Sequence, residues 1–413
     1  MPSVISVNSD KPKLALVVPA LDGGGGVPAV ARFVKDAALR TGRYELKLIS
    51  LCMASNERSS RLLRQPSTWL RGPQVSTGEW EGLPFTHVGA DFAELEFQRY
   101  RPRPVLTKLL AGCDLVQMVC GSPAWANTVV GLGKPVALQV ATRVVVERRH
   151  RNTLKSSIAG WLRRQMTRII DRLDDRALRA VDAIQVENPW MLEYCKQLNT
   201  GRQLDLRYAP PGVDAKLFCP VAERLDNASP YILCVARLDD PRKNVALLLE
   251  AYALLPAALR ERVKLKLAGS GGPPDAFWQR AAALGLSEHI EYVVKPKLAE
   301  LVRLYQHACV FALPSDEEGL GVVILEAMAC GVPVVSTRSG GPDGIVIDGV
   351  DGFLTPLDDA AAMAERLARL IKDKSFNAEM GRRARATIEA RYAEEVAGQA
   401  FVEMWDSLLQ GRA

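Results

Sequence analysis

The stretch "SDEEGLGVVILEAMACGVPVV", residues 315–335, places Glu318 and Glu326 eight positions apart, with Gly319 and Gly321 between them. Glycine adopts backbone angles that are closed to other residues and lets a ligand approach the main chain. The helix-like segment that follows would expose unpaired N–H groups and the positive end of its dipole. The stretch therefore predicts an anion-binding loop with a carboxylate on either side.

The two carboxylates have two interpretations. Because a carboxylate repels a bound phosphate, Glu318 and Glu326 are suited to accept hydrogen bonds from sugar hydroxyls that flank the anion. The alternative is a solvated Glu318 and a Glu326 that is paired with a basic group. The spacing alone leaves both interpretations open.

The rest of the chain alternates short apolar runs with helix-period segments, which is typical of parallel α/β proteins. The predicted strands of a first unit are 13–21, 44–51, 113–119, 134–140 and 181–188. Those of a second unit are 231–238, 263–272, 290–296, 308–315 and 333–341. A Pro- and Gly-rich linker at 208–221 separates the units, so we predict two Rossmann-like domains that face each other across a cleft.

Three further segments complete the predicted organisation. A helix is expected between the strands at 113–119 and 134–140. Residues 53–104 are rich in polar residues, Pro and Gly, and are interpreted as a long variable excursion. A helical tail is expected over 358–410.

The composition is that of an ordinary soluble globular protein, with 48% hydrophobic and 24% charged residues. No run approaches the ~18 apolar residues that span a membrane. The first residues lack the pattern of a secretory signal, so 1–12 is expected to be a flexible tail. The eight cysteines contain no C-x-x-C and the four histidines lie far apart, which favours reduced thiols in a cytoplasmic protein over disulfides or a metal site.

Residues 153–180 predict an amphipathic helix whose apolar stripe includes Ile158, Leu162 and Ile169, with arginines on the other faces. One interpretation is contact with an anionic membrane surface, because Trp161 lies on the same arginine-rich helix. The alternative is an ordinary solvated face. Nucleic acid is not expected as a partner, because the excess positive charge is confined to one element and no aromatic-and-basic module occurs.

The segment "ARLDDPRKN" carries Arg237 at a strand end and Lys243 six residues later, near a helix start. Two such cations can converge on one diphosphate, the guanidinium as a fork and the ammonium as a point charge. The alternative is ordinary surface charge.

The segment "DGGGGVPA" contains the spacing G-x-G-x-x-A at Gly24, Gly26 and Ala29. In a dinucleotide-binding fingerprint the glycines follow the strand directly, whereas "PALD" intervenes here. Glu45 has the expected distance in sequence but stands near the beginning of its strand. A nicotinamide or flavin site is therefore disfavoured, and a glycine-rich loop that packs against a ligand or the facing domain fits better.

Taken together, these segments resemble the family-4 group of retaining GT-B glycosyltransferases. The family's donor-site phrase stands here as "PSDEEGLGVVILEAMACGVPVV", its "GRL…KG" as "ARLDDPRKN" and its linker as "PPGVDAKLFCP". Its glycine-rich N-terminal loop stands as "DGGGGVPAV", and a further stretch as "GGPDGIVIDGVDGFL". The resemblance is dense over 208–356 and thinner over 13–195. Several linked motifs in the same order are more specific than any one of them.

The resemblance implies an α/β protein of GT-B fold, with a C-terminal helix that returns to the N-domain. It divides the chain into an N-terminal acceptor-side domain at 13–210 and a donor-nucleotide-binding domain at 211–395. The last helix, 396–413, is expected to pack back on the N-domain.

The implied donor-binding residues are Gly25, Gly26, Arg237, Lys243, Glu318, Gly319, Leu320, Gly321, Val322 and Glu326. By the resemblance, Arg237 and Lys243 would neutralise the diphosphate, assisted by backbone N–H groups of 319–322. Glu326 would bind the ribose hydroxyls and Glu318 the transferred sugar. Glu318, Arg237 and Lys243 are the implied catalytic residues, and neither a metal nor a cofactor is expected.

Two positions depart from the family's pattern. Many relatives carry a histidine after the strand that matches 134–140, where it contacts the donor sugar. Here Gln139, Thr142 and Arg143 stand in that neighbourhood, and the first histidine is His150. Asp343 and Gly344 replace the usual glutamate and its apolar neighbour, which puts that contact in doubt.

The resemblance implies a retaining glycosyltransferase that moves a sugar from a nucleoside-diphosphate sugar to a lipid-linked or polysaccharide acceptor. The enzyme would work at the cytoplasmic face of the cell membrane through the helix at 153–180. One alternative is a GT-B-fold sugar-nucleotide epimerase, which would need acid–base carboxylates or histidines in the cleft that the sequence does not identify. Another is a non-catalytic nucleotide-sugar-binding subunit, against which the intact donor set argues.

Overall fold

Two parallel β-sheets organise the chain in the computed structural model, which describes residues 11–21, 25–149, 158–221 and 230–411. The strands of the first sheet are β1 Lys13–Pro19, β2 Glu45–Leu51, β3 Val75–Trp80, β4 Leu83–Val88, β5 Leu115–Cys120, β6 Val136–Val140, β7 Ala183–Val186 and β8 Asp205–Tyr208. Those of the second are β9 Tyr231–Val235, β10 Lys264–Gly269, β11 Ile290–Val294, β12 Val310–Leu313, β13 Val334–Thr337 and β14 Gly352–Thr355. The strand orders are β3-β4-β2-β1-β5-β6-β7-β8 and β11-β10-β9-β12-β13-β14.

Helices cover both sheets. The α-helices are α1 Gly26–Thr41, α2 Pro104–Leu110, α3 Val144–Glu147, α4 Ile158–Ala180, α5 Pro189–Leu198, α6 Val245–Ala253, α7 Ala257–Arg260, α8 Asp275–Ala283, α9 Leu298–His307, α10 Val322–Ala329, α11 Pro342–Ile345, α12 Ala360–Lys372, α13 Lys374–Thr387 and α14 Glu394–Gln410. Short 3₁₀ turns occur at Pro66–Thr68, Glu96–Tyr100, Pro123–Thr128, Pro241–Lys243 and Ser287–His289, and a π turn at Ile388–Tyr392. Within the described residues, none of these helices has the length and apolar character needed to cross a bilayer.

The predicted fold class is confirmed, because each sheet is parallel apart from the β3–β4 pair and each is flanked by helices. Apolar runs such as the one that forms β1 are buried on both faces, as expected of strands in a parallel sheet. In such sheets ligands bind outside the carboxyl ends of the strands.

The C-terminal helix α14 returns to the first sheet. The ring of Phe401 meets that of Phe33 edge-on at 5.4 Å, and Trp405 meets Tyr44 at 5.3 Å. The buried Trp405 indole also donates a hydrogen bond of 2.7 Å from Nε1 to Oε1 of Gln117 in β5. These contacts anchor the end of the chain on the N-terminal domain.

The two chain crossings between the domains run side by side. The Val213 N–H donates to the Tyr392 carbonyl at 2.8 Å, and the Glu394 N–H donates to the Val213 carbonyl at 3.1 Å. The linker that the sequence indicated at 208–221 therefore forms a paired junction with the segment that leads into α14.

Three expectations about the first sheet were wrong or incomplete. The excursion at 53–104 contains the β3–β4 hairpin, and β4 pairs in parallel with β2. The helix expected between β5 and β6 is a 3₁₀ turn at Pro123–Thr128, because Ser122 and the N–H of Ala124 are bound by the buried Asp174 carboxylate. The strand predicted at 181–188 is not the last of the first unit, since α5 and β8 follow it.

The predicted apolar stripe of the helix at 153–180 is also corrected in part. Its residues 153–157 and the flexible tail at 1–10 lie outside the described residues, and α4 begins at Ile158. Ile158, Leu162 and Ile169 face solvent, and the buried face is formed mainly by Ile170, Asp174, Ala177 and Leu178. Asp174 stands at the centre of this otherwise mainly apolar face because its carboxylate accepts hydrogen bonds from Ser122 Oγ and from the Ala124 N–H, just after β5.

Candidate active site in the cleft between the domains

A cavity of about 570 Å³ lies between the carboxyl ends of the strands of the two sheets. All the residues that the sequence analysis assigned to donor binding line it: Gly25, Gly26, Arg237, Lys243, Glu318, Gly319, Leu320, Gly321, Val322 and Glu326. The structure therefore brings together residues that are up to 301 positions apart in the sequence. Gly24 of the glycine-rich loop and His150 lie outside the described residues.

Hydrogen bonds fix the Glu318 carboxylate in the loop that follows β12. It is 8% exposed and accepts hydrogen bonds from Ser315 Oγ at 2.6 Å and from Lys243 Nζ at 2.7 Å. Its backbone N–H donates to the Ser339 carbonyl, and its own carbonyl accepts from the Gly341 N–H, each at 2.9 Å. The side chain of Glu318 is thus held by Ser315 and Lys243, and its backbone is held by the loop that follows β13.

The two glycines of the loop have different reasons to be glycine. Gly321 precedes α10 with a φ of 86°, in the left-handed region that other residues rarely adopt. A Cβ on Gly319 would lie 2.9 Å from the Cβ of Ala141 in the opposite domain, so a side chain there would push the domains apart. The loop thus reaches the N-terminal domain through its main chain.

The N–H groups of Gly319, Leu320 and Gly321 donate no hydrogen bond to the protein within the described ranges. They stand at the N-terminus of the eight-residue helix α10, where the first backbone donors are also unpaired. Together with the helix dipole, these donors favour an anion in the adjoining part of the cavity.

Lys243 ends a 3₁₀ turn that follows β9. The turn is capped by Asp240, whose carboxylate accepts from the Arg242 N–H at 3.1 Å, and Asn244 continues it with a φ of 40°. This geometry directs the Lys243 ammonium to Glu318, and both side chains are largely buried, 15% and 9% exposed. The ammonium therefore stands at the boundary between the anion loop and the carboxylate.

Two arginines differ in how far they enter the cleft. Arg237 is half exposed at the rim and pairs with Asp240 at 3.0 Å. Arg242, which the sequence analysis did not select, is mostly buried and binds Asp240 at 2.8 Å and Glu317 at 2.9 Å. Burial lowers its pKa, but the Asp240 and Glu317 carboxylates outweigh this and raise the pKa above its ordinary value. The Asp240 and Glu317 carboxylates therefore neutralise the positive charge of Arg242 before any ligand binds.

Glu326 lies on the first turns of α10 and receives a hydrogen bond of 2.6 Å from the Tyr305 hydroxyl to Oε2. Desolvation by burial raises the pKa of Glu326 to about 7, and the Tyr305 hydroxyl offsets part of this effect. The alternative that Glu326 pairs with a basic group is not what the structure shows, because its described partner is a neutral phenol.

Sequence reasoning missed Asn188, which lies directly after the cavity-lining Glu187 and is fully buried. Asn188 caps α5 through Oδ1, which accepts from the Met191 N–H at 2.9 Å. Its Nδ2 donates to the Ala141 carbonyl at 2.7 Å and, across the cleft, to the Gly319 carbonyl at 2.6 Å. The dipeptide Asn-Pro is a helix-start signal that could have identified this position.

Asp343, at the second departure from the family's pattern, does not line this cavity. Its carboxylate accepts from the Gly340 N–H at 2.9 Å and lies 3.5 Å from Arg338. The residue therefore supports the loop after β13.

Residues 220–387 match the profile of the family described as "Glycosyl transferases group 1". This segment is therefore similar to glycosyl transferase group 1 domains. It contains the second sheet and four of the cavity's polar residues, Arg237, Lys243, Glu318 and Glu326.

Curated relatives match less than half of the chain. A GDP-mannose-dependent α-(1-6)-phosphatidylinositol monomannoside mannosyltransferase from Mycolicibacterium smegmatis is 36% identical over 198 residues, which are 44% of this chain and 51% of that protein. A D-inositol 3-phosphate glycosyltransferase from Frankia alni is 36% identical over 41% of this chain and 45% of its own length. The chain thus spans about half the length of the curated relatives it matches.

Solved structures match over nearly the whole chain and confirm the GT-B fold. Sucrose-phosphate synthase from Thermosynechococcus elongatus has a TM-score of 0.73 at 20% identity and covers 97% of this chain and 100% of its own. HepE from Anabaena in complex with UDP-glucose has a TM-score of 0.69 at 18% identity and covers 96% and 99%. At these identities the likeness concerns the fold.

Proposed function

We propose that the protein is a retaining glycosyltransferase that moves a sugar from a nucleoside-diphosphate sugar to a lipid-linked or polysaccharide acceptor, without a metal ion. The observation that carries this proposal is the convergence at one cavity of a buried ammonium, a carboxylate and a free helix N-terminus. Lys243 and Glu318 are 2.7 Å apart, directly beside the unpaired N–H groups that lead into α10.

The cations of the cleft would stabilise the leaving group, the nucleoside diphosphate. Departure of a nucleoside diphosphate places negative charge on the phosphate oxygens, and fixed donors aimed at that charge lower the barrier. Lys243, Arg237 at the rim and the N–H groups before α10 supply such donors. In the water-poor part of the cleft each is worth more than in bulk solvent.

The two carboxylates would bind the two sugars that flank the diphosphate, the transferred sugar and the ribose. Glu318 would accept hydroxyl hydrogen bonds from the transferred sugar while Lys243 remains within reach of the adjoining phosphate. Glu326 would accept hydroxyls of the ribose, with its orientation fixed by Tyr305. An acceptor hydroxyl would then attack the anomeric carbon from the face that the diphosphate leaves, which retains the configuration. The bond from the anomeric carbon to the diphosphate breaks as the new C–O bond forms, and the hydroxyl proton passes to an oxygen of the departing phosphate.

The names of the relatives support the substrate class. The Mycolicibacterium smegmatis protein is named for a GDP-mannose donor and a phosphatidylinositol-linked acceptor, and the HepE structure holds UDP-glucose. We therefore place UDP- and GDP-linked hexoses first among the donors to be tested.

Helix α4 supports a location at the inner face of the cell membrane. Ile158, Trp161 and Leu162 are 82%, 53% and 56% exposed, which is unusual for large apolar side chains on one turn of a helix. Arg168 and Arg172 are exposed on the following turns of the same helix. Apolar and cationic side chains side by side are suited to an anionic lipid interface, where the acceptor would be presented.

Calorimetric titration with UDP, GDP and NAD tests the donor site. We expect one nucleoside diphosphate to bind and Lys243→Ala to weaken it roughly 10- to 100-fold, as for the loss of a charge-assisted hydrogen bond of about 1.5–3 kcal/mol. Lys216→Ala removes an exposed ammonium that is not part of the cavity lining and serves as the control. Binding of NAD, or of none of the three, would contradict the proposal.

Donor turnover separates the three functions that the cleft could serve. A transferase consumes UDP-glucose or GDP-mannose in proportion to an added glycan or lipid-linked acceptor. An epimerase converts the sugar nucleotide without an acceptor, and a binding subunit leaves it unchanged. Acceptor-independent conversion, or binding without any turnover across a panel of acceptors, would exclude the transferase.

A further inference from the structure

A cluster of buried polar side chains on the N-terminal wall of the cavity has no place in the proposed mechanism. It consists of Gln139 in β6, Thr142 just after β6 and Glu187 just after β7. Thr142 and Glu187 line the cavity although they are only 6% and 4% exposed, and Gln139 behind them is fully buried.

The orientation of the Gln139 amide is determined by its neighbours. Its Nε2 donates to Glu187 Oε1 at 3.1 Å and to the Ala209 carbonyl at 3.4 Å. Since both partners accept hydrogen bonds, the amide nitrogen must face them and the amide oxygen must face away. That oxygen is buried and accepts no hydrogen bond within the described residues.

Other buried polar groups of this region are unpaired within the described chain as well, including both amide atoms of Gln185, which pairs with Gln139 in the β6–β7 register. The Thr142 hydroxyl oxygen is likewise buried without a partner among the described residues, and the hydrogen bond from Gln139 is the one described for the Glu187 side chain. A buried polar atom that is left unpaired costs about 1–3 kcal/mol, so a group of such atoms beside a cavity indicates a ligand with groups that both donate and accept hydrogen bonds, as hydroxyls do.

The position of the cluster identifies which part of the ligand it meets. The next residue after Glu187 is Asn188, which binds both the Ala141 carbonyl next to Thr142 and the Gly319 carbonyl next to Glu318. The cluster is therefore tied to the loop that carries Glu318. A carboxylate there would repel the diphosphate, so the part of the donor that it can accept is the hydroxylated sugar.

We propose that Glu187, supported by Gln139 and Thr142, selects a neutral donor sugar by accepting a hydrogen bond from one of its hydroxyls. This inference rests on the proposed glycosyltransferase function and assigns the sugar recognition that a histidine provides in many relatives to a different strand end. It predicts that a uronic acid is a poor donor, because its carboxylate would lie against a second carboxylate. It also predicts that a sugar without the recognised hydroxyl is a poor donor.

The protonation of Glu187 is consistent with this role. Desolvation by burial raises its pKa to about 7, while the Gln139 amide lowers it in part. Both forms of the carboxyl retain an oxygen that accepts from a hydroxyl.

The experiment compares wild type with Glu187→Gln on UDP-glucose, GDP-mannose and UDP-glucuronate, and on singly deoxygenated analogues of whichever hexose is turned over. Wild type should lose roughly 100-fold or more in kcat/KM with one of the deoxy analogues, because a site built for a hydroxyl is left unpaired. Glu187→Gln should lose at least tenfold with the full sugar and show a much smaller penalty for that analogue. Its affinity for the nucleoside diphosphate alone should stay within about twofold, since no phosphate contact is changed.

Two outcomes would overturn the inference. One is an unchanged deoxy penalty in Glu187→Gln, and the other is an equal loss of nucleoside-diphosphate affinity and turnover, which would indicate a purely structural role. Thr142→Val is the second variant, in case Glu187→Gln fails to fold, and should lower the same penalty. A wild type that binds no nucleoside diphosphate would instead contradict the proposed function, so the two failures are distinguishable.

Discussion

At the scale of single residues, the ion pair between Lys243 and Glu318 places opposite charges where a phosphate and a sugar would meet. Glu318→Gln removes one charge and leaves the ammonium, 15% exposed, without its counterion. We expect the variant to bind the nucleoside diphosphate at least as tightly as wild type, because the ammonium is freed for the phosphates. Transfer should fall about 10- to 100-fold, since the amide accepts weaker hydrogen bonds from sugar hydroxyls.

Calorimetry with UDP and GDP and steady-state kinetics with the corresponding hexose donors measure the two effects separately. Glu317→Gln is the matched control, because this neighbour also lines the cavity but forms its ion pair with Arg242, whereas Glu318 pairs with Lys243. If nucleotide affinity and turnover fall together in Glu318→Gln, the carboxylate serves only to hold the lysine.

The residues that sequence reasoning found and those that it missed differ in kind. Glu318, Glu326 and Lys243 stand in phrases whose spacing has a chemical meaning. Glu187 and Tyr305 lie in ordinary strand-end and helix contexts, and they matter because the fold brings them to the cavity or to a carboxylate. Such residues carry no local signal, since their role depends on three-dimensional neighbours.

At the scale of elements, the strands with continuous apolar runs could be predicted and the β3–β4 hairpin could not. β3 is mostly exposed and β4 mostly half-buried, so they lack the continuous buried pattern of β1 and β5. The local signal was the turn at Glu81 and Gly82, with φ values of 50° and 78°, which joins Trp80 to Leu83. A two-residue turn ending in glycine between two strand-like runs is a hairpin signal.

At this scale, helix α4 predicts binding of the protein to anionic membranes. Vesicles of phosphatidylcholine with phosphatidylglycerol should pellet the wild-type protein, and Arg168→Glu with Arg172→Glu should reduce pelleting at least tenfold. Each cation near an anionic surface contributes about 1 kcal/mol, so two charge reversals remove more than that factor. Leu162→Ser should weaken binding to the same vesicles independently of salt, because it removes apolar insertion.

The matched control for charge is Arg382→Glu with Arg383→Glu, two exposed arginines on α13. This pair should leave pelleting unchanged. Equal recovery of wild type with neutral and anionic vesicles would show that the arginines of α4 form an ordinary solvated face.

At the scale of the whole molecule, the cleft joins the two domains closely, for example through the hydrogen bond from Asn188 Nδ2 to the Gly319 carbonyl. The cleft and its surroundings hold three acidic groups with strongly raised pKa values. Desolvation by burial raises the pKa of Glu187, Glu326 and Asp174 to about 7 in each case, against partial offsets from their hydrogen-bond donors. The donors to Asp174 are Ser122 Oγ and the N–H groups of Val144 and Ala124.

These raised pKa values predict how stability depends on pH. The folded protein binds these three protons more tightly than the unfolded chain, whose carboxyls have ordinary pKa values of 4.5 or 3.8. The stabilisation is therefore fully present below about pH 4 and is lost as pH rises through about 7. For each group the loss is at most about 1.4 kcal/mol for every tenfold difference in proton affinity between the folded and unfolded states.

The free energy of unfolding should therefore fall between pH 5 and pH 8, and Glu187→Gln should show a smaller fall than wild type. Urea unfolding at several pH values measures this, with Glu250→Gln as the control because Arg280 lowers the pKa of that carboxyl and it stays ionised throughout. A fall of the same size in Glu187→Gln and wild type would mean that this carboxyl is solvated in the folded protein. That result would also remove the desolvated acceptor on which the sugar-selecting role of Glu187 depends.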